Sequence, residues 1–335
     1  MTHPVDYGMV NITIRYREAN LLKLADYQQL LHAANLEEAL DILASKGNYA
    51  QFVELIRQGH SVTQALMKAL ISEYNWALTS APDPFPVELL ALKYVYHNLK
   101  LLFKERVTGN SWPDLYIPLD LYRRTALEQA IQLLTSDELP EHYLESIRAV
   151  SRHYQEYQNP QMIDIIFDQG YYQHLHYLAQ LIDDTNLMKF VEIEIDLENL
   201  KVVGRFIHQE KPANLLLAML TEGGSLKPSE IVRAYRQGAQ GVVNFYQNTE
   251  YHSLVPQVDV FSQPFQLEQA IDDYQMKQLQ TIKIVPFGPA PLVSYLLAKE
   301  TENQNLRIVL QGIENGLNRE LLANTLRLTF VDENK

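Results

Sequence analysis

An internal repeat constrains the fold of this chain more than any other feature of its sequence. The tripeptide Asn-Leu-(Lys/Arg) occurs three times in the 335 residues, at Asn98-Leu99-Lys100, Asn199-Leu200-Lys201 and Asn305-Leu306-Arg307. The copies are 101 and 106 residues apart. Because solenoid repeats usually have periods of roughly 20–50 residues, the longer spacing predicts three domain-sized units rather than a stack of small repeats.

A second landmark follows the same order along the chain. The dipeptide Tyr-Arg also occurs three times, at Tyr16-Arg17, Tyr122-Arg123 and Tyr235-Arg236. Each copy precedes one Asn-Leu-(Lys/Arg), by 82, 77 and 70 residues from Tyr to Asn. The sequence therefore predicts three similar helical domains, with boundaries at 1–115, 116–212 and 213–335.

The spacing of apolar residues predicts helices within each unit. In the segment from Val87 to Val107, apolar side chains recur at steps of three and four residues, which is typical of a helix with one buried stripe. They are Leu92, Val95, Leu99, Leu102 and Phe103. Proline-rich segments before and after this helix are expected to end helices. We therefore predict an all-α fold.

One segment can be interpreted as either a strand or a helix. Val191 to Glu198 (VEIEIDLE) alternates apolar and acidic residues, which locally favours a half-buried strand. As a helix, the same segment would place Val191, Ile195 and Asn199 on one stripe. That stripe would correspond to the one that Val95 and Leu102 form around Asn98. We favour the helix.

Charge and composition exclude several classes of function. With 28 basic and 41 acidic residues the net charge is −13, which has the wrong sign for binding a phosphate backbone, so no nucleic-acid partner is expected. No run reaches the roughly 18 apolar residues of a membrane span, so direct membrane insertion is not expected. The absence of cysteine and of a secretory signal near the start favours a cytoplasmic location.

No group of residues predicts a catalytic, cofactor-binding or metal site. There is no Gly-rich loop ending in Lys-Ser or Lys-Thr. His174 and His176 are two residues apart, so on a helix they point about 200° from each other and cannot chelate one ion together. The acidic pairs Asp183-Asp184 and Asp272-Asp273 lack an accompanying nucleophile, and capping or surface roles are more common for such pairs.

The repeated asparagines are the most informative polar residues. Asn is unfavourable inside a helix, and its amide needs hydrogen-bond partners when it faces a core. Asn98, Asn199 and Asn305 could bond a neighbouring helix within their own unit, or they could line a shared cavity. Lys100, Lys201 and Arg307, two residues on, point to roughly the opposite face, so only one of the two sets can line a cavity.

Longer segments around these landmarks resemble a known family. The resemblance is strongest over Val285 to Leu317, with its proline-bearing turn, Tyr295 to Glu300 (YLLAKE) and the third Asn-Leu-Arg. It also includes Leu89 to Arg106, Asp196 to Phe206, and the opening Tyr7, Asn11 and Arg15 followed by Leu21-Leu22. Together these segments resemble the C subunits of bacterial and archaeal V-type or A-type ATPases, which are relatives of the eukaryotic V-ATPase d subunit. The chain departs from that pattern at Val95, where an acidic residue is common.

The resemblance implies a structural component of a rotary ATPase, without catalytic activity or a cofactor. It implies a funnel of three similar helical domains around a pseudo-threefold axis, whose central cavity receives the D and F subunits of the central shaft. The funnel would sit on the proteolipid rotor ring, at the cytoplasmic face of the membrane, and couple shaft rotation to transport of Na⁺ or H⁺. A helical-repeat scaffold that binds soluble proteins is the alternative, and an enzyme is a weaker one.

Overall fold

The computed structural model describes residues 4–46, 48–282 and 285–331, which form helices and no strand. The all-α prediction is thus confirmed for the described residues. The α-helices are α1 (Gly8–Glu18), α2 (Leu24–Leu31), α3 (Leu36–Ala44), α4 (Ala50–Arg57), α5 (Val62–Ser80), α6 (Phe85–Thr108), α7 (Arg124–Leu133), α8 (Glu141–Tyr157), α9 (Pro160–Ile182), α10 (Thr185–His208), α11 (Ala213–Leu216), α12 (Pro228–Tyr235), α13 (Ala239–Tyr246), α14 (Pro264–Ile282), α15 (Ala290–Glu314) and α16 (Arg319–Thr325). Short 3-10 helices cover Pro4–Tyr7, Pro113–Leu115, Leu217–Met219 and Val258–Ser262.

Polar side chains fix where several of these helices begin. Ser61 accepts a hydrogen bond from the backbone N–H of Gln64 at the start of α5. Asp184 accepts bonds from two backbone N–H groups in the first turn of α10, at 2.9 and 3.0 Å. Because the first N–H groups of a helix have no partner within it, such caps stabilise its beginning by about 1 kcal/mol. The expected capping role of the first acidic pair is confirmed at Asp184.

The segment Val191 to Glu198 lies inside α10, so the helical interpretation is confirmed. Val191, Ile195 and Asn199 are all buried, as the helical stripe requires. α10 packs against α9 and also against the 3-10 helix Val258–Ser262. Because the helix is covered on more than one side, its apolar residues are not confined to one stripe, and this produces the strand-like alternation.

The chain divides into two compact units. The terminal unit combines both ends of the chain, Met1–Val87 and Asp272–Lys335, and the middle unit is Glu88–Ile271. In the terminal unit, α15 packs against α1, α2, α3, α5 and α16. An apolar core joins the N-terminal helices to α15 through residues such as Leu40, Phe52 and Leu310. The N-terminal segment is therefore folded onto the C-terminal one.

In the middle unit, α9 is the central helix. It packs against α8 on one side and α10 on another, and α12 packs against α13. Gly170 of α9 lies so close to α8 that a Cβ atom there would be 2.1 Å from Ser146 Oγ. Aromatic side chains fill the space beside this contact, with Tyr96 of α6 edge-on to Phe167. No helix of the described residues is long and apolar enough to cross a bilayer.

The three Asn-Leu-(Lys/Arg) sequences lie on three long helices of nearly equal length. These are α6, α10 and α15, with 24, 24 and 25 residues. In the middle unit, α6 pairs with α9 through Lys104 and Asp164 (2.7 Å), and Gly204 of α10 lies against Leu267 of α14. In the terminal unit, α15 pairs with α5.

Candidate functional site

Each repeated asparagine pairs with the backbone of a segment that follows its own helix. Asn98 donates to the carbonyl of Ile117 at 2.7 Å and accepts from its N–H at 2.9 Å. Asn199 makes the same two bonds with Thr221, both at 2.9 Å. Asn305 does so with Arg327, at 3.0 and 2.8 Å. The partner is therefore the returning chain rather than a neighbouring helix.

The geometry explains why asparagine stands at these positions. Its side-chain amide offers one N–H donor and one carbonyl acceptor side by side, so it can pair with a backbone as another peptide would. The three side chains are buried, with Asn98, Asn199 and Asn305 at 3%, 1% and 1% exposure. Because an unpaired buried backbone group is costly, each asparagine determines where the returning chain lies.

We call the three returning stretches the exit segments: residues 109–117, 209–221 and 315–327. Each contains a short helix: the 3-10 helix Pro113–Leu115, α11 with the 3-10 helix Leu217–Met219, and α16. In the second and third exit segments, a leucine five residues before the paired residue is buried, namely Leu216 (0%) and Leu322 (4%). The exit segments are thus held both by the asparagine and by apolar packing.

The basic residues after the asparagines lie elsewhere. Lys100 forms an ion pair with Asp168 of α9. Lys201 is 3.9 Å from Glu198 on its own helix, and Arg307 is exposed. These three side chains do not share one arrangement, unlike the asparagines.

A buried carboxylate stands three residues before the second and third asparagines. Asp196 accepts hydrogen bonds from the backbone N–H of Ser225 and Leu226, both at 3.0 Å, and from the hydroxyl of Tyr251 at 2.9 Å. Glu302 accepts one from the backbone N–H of Leu22 at 2.7 Å. Burial raises the pKa of Asp196, whereas these hydrogen bonds act in the opposite direction.

These carboxylates position the start of the next short helix. Leu226 is two residues before α12, and Leu22 is two residues before α2. In the first repeat the equivalent position is Val95, which has no carboxylate. There the hydroxyl of Tyr122, two residues before α7, donates instead to Glu88 of α6 at 3.2 Å. A carboxylate of α15 therefore positions the start of α2 as a carboxylate of α10 positions the start of α12.

Exposed leucines recur on the exit segments, and these were not singled out from the sequence. They are Leu115 (55%), Leu215 (51%), Leu217 (54%), Leu317 (48%) and Leu321 (57%). Single exposed apolar residues are common, but here they recur on all three exit segments. In the sequence, the available signal was an apolar residue that follows each predicted long helix, near a proline or glycine. Each exit segment is therefore a candidate contact with a partner that would cover its exposed leucine.

The histidines play a packing role. His174 of α9 is 2% exposed, and its ring centroid is 4.7 Å from that of Tyr143 and 4.8 Å from that of His142. Burial lowers the pKa of His174 to about 3, and the neighbouring His142 acts in the same direction. His176 instead contacts Gln180 at 2.9 Å. Within the described residues, no three His, Asp or Glu side chains are grouped so that they could hold a metal ion.

The second acidic pair binds the end of the third exit segment. Asp272 accepts from Arg327 Nε at 2.7 Å, and Asp273 accepts from the backbone N–H of Leu328 at 2.9 Å. Both acids lie inside α14 rather than at its ends. They therefore reinforce the position that Asn305 gives to Arg327.

Known proteins share most of the length of this chain. It is 28% identical to the C subunit of the V-type sodium ATPase of Enterococcus hirae, over 97% of this chain and 99% of that protein. It is 25% identical to the C subunit of the A-type ATP synthase of Methanocaldococcus jannaschii, over 92% of this chain and 83% of the relative. It is 22% identical to the C subunit of the V-type ATP synthase of Thermus thermophilus, over 94% and 96% respectively. The profile of the ATP synthase (C/AC39) subunit matches residues 10–325, and the chain therefore belongs to the ATP synthase (C/AC39) subunit family.

Proposed function

We propose that this protein is a non-catalytic adaptor in the central stalk of a rotary V-type ATPase. In this role it seats the D and F subunits of the shaft and couples their rotation to the proteolipid rotor ring. The observation that carries the proposal is the threefold recurrence of a long helix whose buried asparagine holds an exit segment. Membership of the family over residues 10–325 supports a component of a rotary ATPase.

The pairing of the long helices supports a threefold arrangement. Lys104 of α6 forms an ion pair with Asp164 of α9, Gly204 of α10 lies against Leu267 of α14, and α15 packs on α5. We propose that the repeats, at 1–115, 116–212 and 213–335, surround a central cavity in which the foot of the shaft is held. In this arrangement the six residues Asn98, Lys100, Asn199, Lys201, Asn305 and Arg307 mark equivalent positions of the three repeats.

The exit segments are the proposed contact with the rotor ring. Exposed leucines on three equivalent segments fit a partner that also repeats the same patch. A ring of identical proteolipid subunits is such a partner. Leu115, Leu217 and Leu321 would each pack against a different copy of the same proteolipid loop, and the asparagines keep the three segments in fixed positions.

Torque transmission requires that the adaptor resist bending. Hydrogen bonds and ion pairs connect the long helices: Tyr74 of α5 donates to Glu300 of α15 at 2.6 Å, and Lys104 of α6 pairs with Asp164 of α9. Such contacts between packed helices oppose sliding, because neighbouring side chains have few alternative arrangements. This chain would bind the membrane complex peripherally, on the cytoplasmic face, through the ring. The names of its relatives include both a sodium ATPase and ATP synthases, so Na⁺ and H⁺ are both candidate ions.

Binding to purified rings tests the proposal directly. Ring-containing nanodiscs and the isolated D–F shaft are each mixed with the protein, and affinities are measured for the wild type and for a variant with Leu115→Glu, Leu217→Glu and Leu321→Glu. We expect the wild type to bind both partners. The variant should bind the ring at least about tenfold more weakly but keep its affinity for the shaft, because three apolar contacts are replaced by charges.

Leu133→Glu provides a matched control. Leu133 is 64% exposed at the end of α7, outside the exit segments, so its replacement should leave ring binding unchanged. Failure of the wild type to bind either ring or shaft would contradict the adaptor role. Capture of soluble client proteins in place of both would favour the helical-repeat scaffold instead.

A further inference from the structure

Helix α1 presents an apolar stripe that nothing in the described chain covers. Met9, Ile12 and Tyr16 are 79%, 68% and 75% exposed, and they are the three most exposed large apolar side chains of the described residues. They are three and four residues apart, so they lie on one face of a single helix. Large apolar side chains concentrated on one exposed face mark an interaction site far more often than scattered ones do.

The other faces of α1 are fixed to the terminal unit. Val10 and Ile14 are buried at 6% and 0% exposure. Asn11 donates to the carbonyl oxygens of Pro286 and Gly288, at 3.3 and 3.1 Å. These bonds hold the turn before α15, on which Phe287 is also exposed (55%). The stripe is thus presented on an anchored helix, which lowers the entropy lost when a partner binds.

Two arginines border the stripe. Arg15 pairs with Glu18 at 2.8 Å and donates to the carbonyl of Val285, while Arg17 pairs with Glu73 at 2.7 Å. Their side chains remain 37% and 29% exposed, in a chain whose net charge is −13. A spacing of three and four residues matches the seam of a packed helix pair. The complementary surface is therefore a helix with an apolar seam bordered by carboxylates.

Among the described residues, α1 has no counterpart near α6 or α10. Beside α10, only five positions separate Thr221, which pairs with Asn199, from Leu226, which donates to Asp196. Beside α15, the corresponding interval runs from Arg327 to Leu22 and contains both chain ends and α1. Because the stripe of α1 occurs once, it suits a partner that is present in one copy rather than a ring of identical subunits.

We propose that the stripe of α1 binds one helix of the central shaft and selects one of three otherwise similar orientations of the shaft in its seat. This inference rests on the proposed adaptor function. Three similar repeats alone would offer the shaft three nearly equivalent orientations. A single apolar ridge stabilises one of them, so that shaft and ring turn in a fixed angular relation. A second copy of the chain would present the same stripe, and the crosslinking experiment distinguishes it from the shaft.

Site-specific crosslinking in the assembled complex tests this inference. The chain contains no cysteine, so Ile12→Cys introduces a unique thiol, which is coupled to a maleimide-benzophenone and irradiated in the complex with ring and shaft. We expect a crosslink to one helix of the shaft. Leu133→Cys is the control, since Leu133 is 64% exposed but lies on α7 rather than on α1, and it should give little of the same product.

An affinity measurement gives an independent result. Ile12→Glu together with Tyr16→Glu should weaken shaft binding by about tenfold or more, with ring binding and the melting temperature unchanged, because both side chains are exposed. Crosslinks from position 12 to the ring, to lipid or to a second copy would overturn the inference, as would none in an intact complex. If the wild type does not assemble with ring and shaft at all, the proposed function itself fails, and the two outcomes are distinguishable.

Discussion

A buried amide that pairs with a backbone leaves two groups without partners when it is removed. At Asn199 these would be the N–H and the carbonyl of Thr221, which lie in the middle unit. The sequence repeat predicted a role for the asparagines, because they occur three times at similar spacing. It did not identify the partner, since a segment 19 to 22 residues away has no pattern that marks its pairing.

Replacing this amide is expected to destabilise the protein strongly. Asn199→Leu should lower the free energy of unfolding by about 1–3 kcal/mol, because the two hydrogen bonds to the half-buried backbone of Thr221 are lost. Urea denaturation measures the change. The control is Asn244→Leu on an exposed face of α13, for which we expect less than about 0.5 kcal/mol. Equal denaturation midpoints for Asn199→Leu and the wild type would refute the pairing role.

His174 gives the stability a defined dependence on pH. In the unfolded chain its pKa is about 6.5, and burial lowers it to about 3 in the folded protein. Between these values the unfolded chain binds a proton that the folded chain does not. The contribution of His174 is therefore complete above about pH 6.5 and is lost as the pH falls towards 3, at up to about 1.4 kcal/mol per pH unit.

The dependence is checked by denaturation at several pH values between 7 and 4. His174→Phe keeps an aromatic ring among Tyr143 and His142 but cannot be protonated, so its stability should fall less steeply with acid than that of the wild type. His252→Asn, at an exposed position, should retain the wild-type slope. Parallel slopes for His174→Phe and the wild type would show that the buried ring is not responsible.

At the scale of single elements, the sequence predicted the long helices better than the short ones. The helix predicted from Val87 to Val107 is α6, Phe85–Thr108, because its stripe and flanking prolines act locally. Val191 to Glu198 is helical despite its strand-like alternation, since contacts on several sides of α10 decide its burial. The exit segments were not predicted, because their short helices depend on the buried asparagines rather than on their own periodicity.

Because α8 and α9 pack closely, we expect that one added methyl group at Gly170 destabilises the protein. A Cβ atom at Gly170 would be 2.1 Å from Ser146 Oγ and 3.0 Å from Ser146 Cβ, so the hydroxyl must leave its hydrogen bond to His142 or the helices must move apart. Gly170→Ala should therefore cost about 1–3 kcal/mol in urea denaturation. Gly8→Ala is the control, since a Cβ there meets no atom within 4 Å. Partial recovery in Gly170→Ala with Ser146→Gly is expected, and no loss in the single variant would contradict the packing.

For the whole molecule, the family could be predicted from the sequence, because it depends on local motifs such as Asn305-Leu306-Arg307. The packing of α5 on α15 could not, because it joins distant residues: Tyr74 and Glu300 are 226 positions apart. The hydrogen bond from the backbone of Leu22 to Glu302, which ties the N-terminal segment to α15, was likewise visible only in the structure.

The proposed adaptor role is tested by measuring how ATP hydrolysis is coupled to ion transport. A rotary ATPase containing this protein is reconstituted into liposomes with and without it, and ATP hydrolysis and ion uptake are measured on the same preparation. We expect that omission abolishes ATP-driven uptake while the catalytic head still hydrolyses ATP, and that adding the protein back restores uptake. Undiminished ATP-driven uptake in the verified absence of the protein would contradict it.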